Sequence, residues 1–372
     1  MRGTTNGSTT RRLRTVLSAA IAVCAVTAVL PAAASAAPAT GAAGRLTSTV
    51  ERISVSPNGT QGNGSSTAAS ITPSGRHVAF TSSATNLGSG ASSAQNRPYL
   101  RDQQTGQTRR VSDYTPIGSV TVSGDGGYVT YALQWMRNVR VRMEQMSSGS
   151  AIAANCSAWS CNQSSFSADG RYLALVILHN QRGSEYQTIE VQDSRTGTTQ
   201  VVSNMPHLNE SRPSMSGDAR YVAFQDGESK DVFLRNLPGN SMVGPIEGPS
   251  VAASLVQLSD DGSKVVYVAG SDTYVYDVAS ATSQPVPNVR GVAIDPTGRY
   301  LLYAPAGTTG PSSLTLRDLQ AGTDEIVSAQ PASAETNAVS TGGHDVVFQS
   351  TAADIVPDDT NGASDVFVRH FS

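Results

Sequence analysis

Two cysteines, Cys156 and Cys161, are separated by four intervening residues in the segment Asn155-Cys-Ser-Ala-Trp159-Ser-Cys-Asn162. A redox pair needs two intervening residues beside a helix start. Zinc needs further ligands, and no histidine lies nearby in sequence. In an oxidising compartment the pair is therefore expected to close as a disulfide that clips one loop. The segment Asp358-Asp359-Thr-Asn361-Gly-Ala-Ser-Asp365 holds half of a calcium loop. Counted from Asp359, it lacks the glycine of the sixth place, and His370 stands where a bidentate glutamate belongs. It reads as a solvated turn. The five histidines, His77, His179, His207, His344 and His370, are scattered without ligand spacing. No Gly-x-Ser-x-Gly elbow is present. Phrases such as Ser123-Gly-Asp125 read as turn chemistry, with the aspartate bonding nearby backbone. No catalytic residue, metal site or cofactor is expected from these groups.

What must position any site is a repeat. One phrase returns seven times, as in Phe166-Ser-Ala-Asp169-Gly170-Arg-Tyr-Leu173-Ala-Leu175 and Met215-Ser-Gly-Asp218-Ala219-Arg-Tyr-Val222-Ala-Phe224. Three residues after the turn position stand Val78, Val129, Leu173, Val222, Val265, Leu301 and Val346. Five after it stand Phe80, Tyr131, Leu175, Phe224, Tyr267, Tyr303 and Phe348. These positions share one strand face, and the residues between them are often apolar too, so the strand is buried on both faces. A period of roughly 45 residues built from strands is the mark of a β-propeller.

Each unit continues with a third strand, as in Asp231-Val-Phe-Leu-Arg235 and Asp365-Val-Phe-Val-Arg369, then a glycine turn and a fourth strand. In the second unit the third strand is assigned to Val139–Glu144. The last unit lacks its fourth strand, while Val50-Glu-Arg52-Ile53-Ser54 at the other end matches Thr108-Arg-Arg110-Val111-Ser112. The expected fold is all-β: a seven-bladed propeller of four-stranded blades, closed by the N-terminal strand and leaving no open edge. Six blades, the alternative, would leave one unit unexplained.

With strands named a to d outward, a–b and c–d turns lie on one side and b–c and d–a loops on the other. The a–b turns are short and uniform. The other loops vary in length, and variable loops on a rigid scaffold are where binding concentrates. On that side we place a candidate binding surface of Trp135, Arg137, Trp159, Arg182, Glu185, His207, Glu210 and Arg212. His179 and Tyr186 are nearby.

The N-terminus reads as a leader. Arg11-Arg12-Leu-Arg14 is a basic start, Thr15–Leu30 an apolar stretch, and Ala34-Ser-Ala36 a cleavage signal. Residues 1–36 are thus expected to be a signal peptide, 37–48 a flexible linker and 49–372 the propeller. Removing four leader arginines takes the net charge from −3 to −7, a poor match for nucleic acid. No second hydrophobic span follows, so the mature chain is not expected to span a membrane.

The Ser-x-Asp-Gly-Arg-Tyr-Val-Ala-Phe and Asp-Val-Phe-Val-Arg phrases resemble the TolB-like, WD-like β-propeller repeat family over about Val50 to Ser372. The resemblance implies an exported bacterial propeller, and the Ala- and Arg-rich composition is like that of an actinomycete. The expected function is binding of a protein or glycan partner in the cell envelope or medium. The alternative is a propeller enzyme, a lyase or glycosidase, working at the channel mouth.

Overall fold

The computed structural model describes residues 48–88, 94–154, 156, 160–181, 184–203, 209–248 and 251–372. The expected leader and all but the last linker residue lie outside these. The first strand, β1 (Ser48–Arg52), is the outermost strand of the seventh blade. Blade 1 holds β2 (Ser66–Ile71), β3 (His77–Ser82), β4 (Arg97–Asp102) and β5 (Gln107–Arg110). Blade 2 holds β6 (Pro116–Val122), β7 (Tyr128–Trp135), β8 (Asn138–Gln145) and β9 (Ala151–Ala153). Blade 3 holds β10 (Ser160–Phe166), β11 (Tyr172–Gln181), β12 (Ser184–Asp193) and β13 (Thr199–Val201). Blade 4 holds β14 (Ser211–Met215), β15 (Tyr221–Gln225), β16 (Val232–Asn236) and β17 (Ser241–Val243). Blade 5 holds β18 (Ser254–Leu258), β19 (Lys264–Ala269), β20 (Asp272–Asp277) and β21 (Thr282–Val286). Blade 6 holds β22 (Val289–Ile294), β23 (Tyr300–Pro305), β24 (Ser312–Asp318) and β25 (Thr323–Ala332). Blade 7 closes with β26 (Asp345–Ser350) and β27 (Asp365–Phe371).

The seven-bladed ring closes as expected. β1 pairs with β27 from Ser48↔Phe371 to Arg52↔Phe367, beginning two residues earlier than the sequence match suggested. The innermost strand of blade 7 is reduced to the bridge Val339↔Val346. The third strand of blade 2 is β8, which includes Val139–Glu144.

The repeat explains the packing. The residues three and five after each turn position are buried in all seven blades except Tyr303, which is half-buried. In four blades an aromatic on the second strand faces one on the third: Phe80–Tyr99, Phe224–Phe233, Tyr267–Tyr274 and Phe348–Phe367. Their ring centroids lie 5.2 to 5.8 Å apart in stacked pairs, which adds to simple area burial. In the a–b turns, Asp125, Asp169, Asp218 and Asp261 accept the hydroxyl of the serine two before and the amide two after. The Ser-x-Asp phrases are turn caps.

Candidate functional site

The innermost strands line a central channel, and most carry a bulge there. Register breaks fall between Thr67 and Ser70, Ile117 and Thr121, Asn162 and Ser164, and Ser211 and Ser214, with further ones at Leu255 and Gly291. Bulges of this kind turn a side chain out of the ladder. Ala68, Gly118, Gln163, Arg212 and Asn337 adopt positive φ at these places.

The turn face almost closes the channel. Asp125 N donates to Ala168 O, Ala168 N to Gly217 O, Gly217 N to Asp260 O, and Asp261 N to Pro296 O, at 2.7 to 3.0 Å. This chain of bonds links blades 2 to 6 at the floor, where only about 40 Å³ remains. The opposite end widens to a mouth of about 520 Å³. Its walls are amides and hydroxyls, with two charged side chains, Arg212 and Glu335. Ser119 Oγ donates to Glu335 Oε2 at 3.0 Å, and Gln257 Nε2 to Asn337 Oδ1 at 2.8 Å, so both pairs reach across an intervening blade.

Beside the mouth lies an apolar patch on blade 2. Of eight exposed large hydrophobic residues among those described, four belong to it: Tyr114, Ile117, Trp135 and Met136. Ile117 also lines the mouth. Trp135 ends β7, opposite Asn138, and Met136-Arg137 form a two-residue turn with Met136 at φ 55°. Its ring meets Tyr114 edge-on at 6.1 Å. The Arg142 guanidinium lies 4.8 Å over the Tyr114 ring, a cation–π contact. Beneath them Arg142 Nε and the Tyr131 hydroxyl both donate to Glu144 Oε1. Burial is the largest cause holding the Tyr131 hydroxyl well above the usual phenol range, with the Glu144 charge adding to it. The patch thus stands on a buried polar base.

A second cluster sits on the long hairpin of blade 3. His179 stacks on Tyr186 at 4.6 Å, its Nε2 lies 2.8 Å from Thr188 Oγ1, and Glu190 is 3.7 Å away. Glu190 stands where four other blades put an aromatic ring. One imidazole nitrogen serves both partners, so this is not a relay in which each nitrogen has its own partner.

The eight sequence-selected residues therefore separate. Arg212 lines the mouth, its backbone N donating to Gln163 Oε1 at 2.7 Å. Trp135 and Arg137 form the exposed tip of blade 2. Glu185 is exposed near the tip of blade 3, 3.3 Å from Asn180 Nδ2. Glu210 is buried, and its Oε2 accepts the Ile189 amide at 3.2 Å, so it ties blade 4 to blade 3. Trp159, Arg182 and His207 lie outside the described residues. Cys156 and Cys161 form a disulfide, joining the d–a loop to the start of β10.

The acidic segment at 358–365 is filled from within the protein. Arg52 lies 3.4 Å from both Asp359 and Asp365. Gln61 Nε2 donates to both carboxylates and Ser54 Oγ to Asp365 Oδ1. An arginine and an amide occupy the space between the acids, which ties β1 to blade 7. Among the described residues no group of three or more His, Cys, Asp or Glu is placed to hold a metal ion. Sequence reasoning missed Tyr114, Arg142 and Glu335, because loops and strands far apart in the chain bring them to the site.

No protein-family model matches this chain, and no curated protein matches its sequence. Solved structures show what it is similar to. An oligogalacturonate lyase in complex with manganese aligns with TM-score 0.64 and 13% identity, over 87% of this chain and 93% of that one. An oligogalacturonate lyase from Vibrio parahaemolyticus aligns with TM-score 0.60 and 13% identity, over 87% and 97%. TolB from Acinetobacter baumannii aligns with TM-score 0.46 and 16% identity, over 72% and 64%. At such identities the two lyases share a fold with this chain, the propeller.

Proposed function

We propose that this propeller is an exported binding module that holds a protein partner against the b–c and d–a face of blade 2. The observation that carries the reading is the exposed set Tyr114, Trp135, Met136 and Ile117 on blade 2, backed by Arg142, with Ile117 also lining the channel mouth. Monomers seldom leave large contiguous apolar patches in water. Aromatic and arginine side chains are also the usual energetic anchors of protein interfaces. The disulfide agrees with an oxidising compartment. An enzymatic reading, with a glycan as substrate, rests on the mouth and its Arg212 and Glu335. General acid–base work needs two groups facing one bond, and Glu335 is already engaged by Ser119.

The test is capture of partners from culture medium and envelope extract on the immobilised protein. Trp135→Ala should weaken a captured partner by roughly 1 to 3 kcal/mol. Thr105→Ala, in a turn of the opposite face, should leave it unchanged. Normal binding by Trp135→Ala together with loss by Thr105→Ala would place the surface on the other face.

A further inference from the structure

Three blades begin their second strand with Arg-Tyr: Arg171-Tyr172, Arg220-Tyr221 and Arg299-Tyr300. In two of them the arginine makes two hydrogen bonds to the aspartate ending the third strand, Asp193 or Asp318. The tyrosine ring lies under the turn glycine of the next blade. A Cβ built on Gly262 would stand 2.9 Å from Tyr221 Cδ2, and one on Gly343 2.8 Å from Tyr300 Cγ. The ring fills the seam between blades.

Blade 5 has Ser263-Lys264 instead. Lys264 takes over the ion pair, with Asp277, and only its methylene chain lies under Gly298, where a Cβ would stand 2.5 Å from Lys264 Cγ. The three atoms nearest that Cβ all belong to Lys264 and Ser263, none to a ring, and a groove of about 570 Å³ opens between blades 5 and 6 on the turn face. Val275, Val286 and Leu319 line it, with Lys264, Arg299 and Arg317 among its polar residues. Asp277 is the one carboxylate of the lining. Asp318 and Asp324, the partners of Arg299 and Arg317, do not line it. A guanidinium has five N–H donors, and Asp318 takes two from Arg299.

We infer that this seam binds an aromatic carboxylate, its ring on the apolar wall of Val275, Val286 and Leu319 beside the Lys264 methylenes, and its carboxylate against the cations. Apolar walls with a few convergent polar groups are the ordinary make-up of a small-molecule site. The groove is on the face opposite Trp135, so the inference stands apart from the proposed partner surface.

The test uses the full chain and 4-hydroxyphenylacetate as the probe, followed by calorimetry or ligand-observed NMR. Saturable binding is expected, with p-cresol, the same ring without the carboxylate, at least about tenfold weaker. The variant Ser263→Arg/Lys264→Tyr rebuilds the dipeptide of blades 3, 4 and 6. It should keep the wild-type circular dichroism and lose the probe. If it fails to fold, Arg317→Gln should lower affinity roughly threefold for the carboxylate and leave p-cresol unchanged. Three results would each overturn the assignment: no saturable binding up to about 10 mM, equal affinity for the two probes, or unchanged affinity in the variant used.

Discussion

Each blade turns the same tight corner between its first two strands, and one residue there sets how closely the next blade can approach. Gly170 has φ +65°, and a Cβ on it would stand 2.4 Å from the Tyr128 ring. Gly170→Ala therefore combines a left-handed backbone penalty with a clash in a packed seam. We expect it to cost about 1 to 3 kcal/mol. In blade 4 the same place holds Ala219, at φ +56°. An alanine in that region carries roughly 1 kcal/mol of strain, so Ala219→Gly should leave stability unchanged or raise it by up to about 1 kcal/mol. Urea denaturation of the two variants checks the opposite signs. A loss at Ala219→Gly as large as at Gly170→Ala would show that the turn backbone is not what limits packing.

At the scale of elements, β1 is the strand whose removal leaves the most behind. It covers the outer edge of β27, and its Arg52 fills the acid pair Asp359 and Asp365. Deleting Ser48–Arg52 exposes a row of unpaired backbone groups and two half-compensated carboxylates. A large fall in melting temperature and concentration-dependent association are expected, read by calorimetry and sedimentation. A monomer that melts like the full protein would mean that β27 needs no partner. The disulfide closes a far shorter loop, and its reduction should cost on the order of 2 kcal/mol at most. Melting with and without reductant, with intact mass to count thiols, measures this. A collapse of the fold on reduction would show the loop to be part of the scaffold.

Across the whole molecule two sets of titratable groups have opposite pH dependence. Hydrogen bonds from Arg171 and Arg299 are the main cause holding Asp193 and Asp318 down at about 2. Their contribution is complete above the ordinary aspartate value and is lost as pH falls through about 2. Burial is the main cause raising Asp260, on the channel floor, to about 6, and Glu247 to about 7. His370 is raised chiefly by its hydrogen bond with Asp345. For these three, stability present at low pH is lost as pH rises through their folded values. The melting temperature should thus peak at about pH 4 and fall on both sides. Asp260→Asn should flatten the alkaline limb, by on the order of 1 kcal/mol between pH 5 and 8. A melting temperature that climbs steadily from pH 4 to 8 would contradict this reading.

The ring and its seven blades were legible in the chain because a propeller repeats one local rule: a capped turn, a strand buried on both faces, and a partner strand at fixed distance. The matching of Val50–Ser54 with Thr108–Ser112 even located the closing strand, since both are fourth strands in the same environment. The Ser-x-Asp turns followed from the same register, and the structure adds that His77 packs under Gly126. The sites were legible only in part. Trp135 could be placed on a face, but its partners Tyr114 and Arg142 come from different elements and carry no shared spacing. Glu210 looked like a loop residue and proved buried, because loop position in sequence does not report how blades 3 and 4 press together. Ser263-Lys264 in place of Arg-Tyr is a difference of sequence alone. That it opens a groove depends on which side chain fills each seam, and only the packing of one blade on the next decides that.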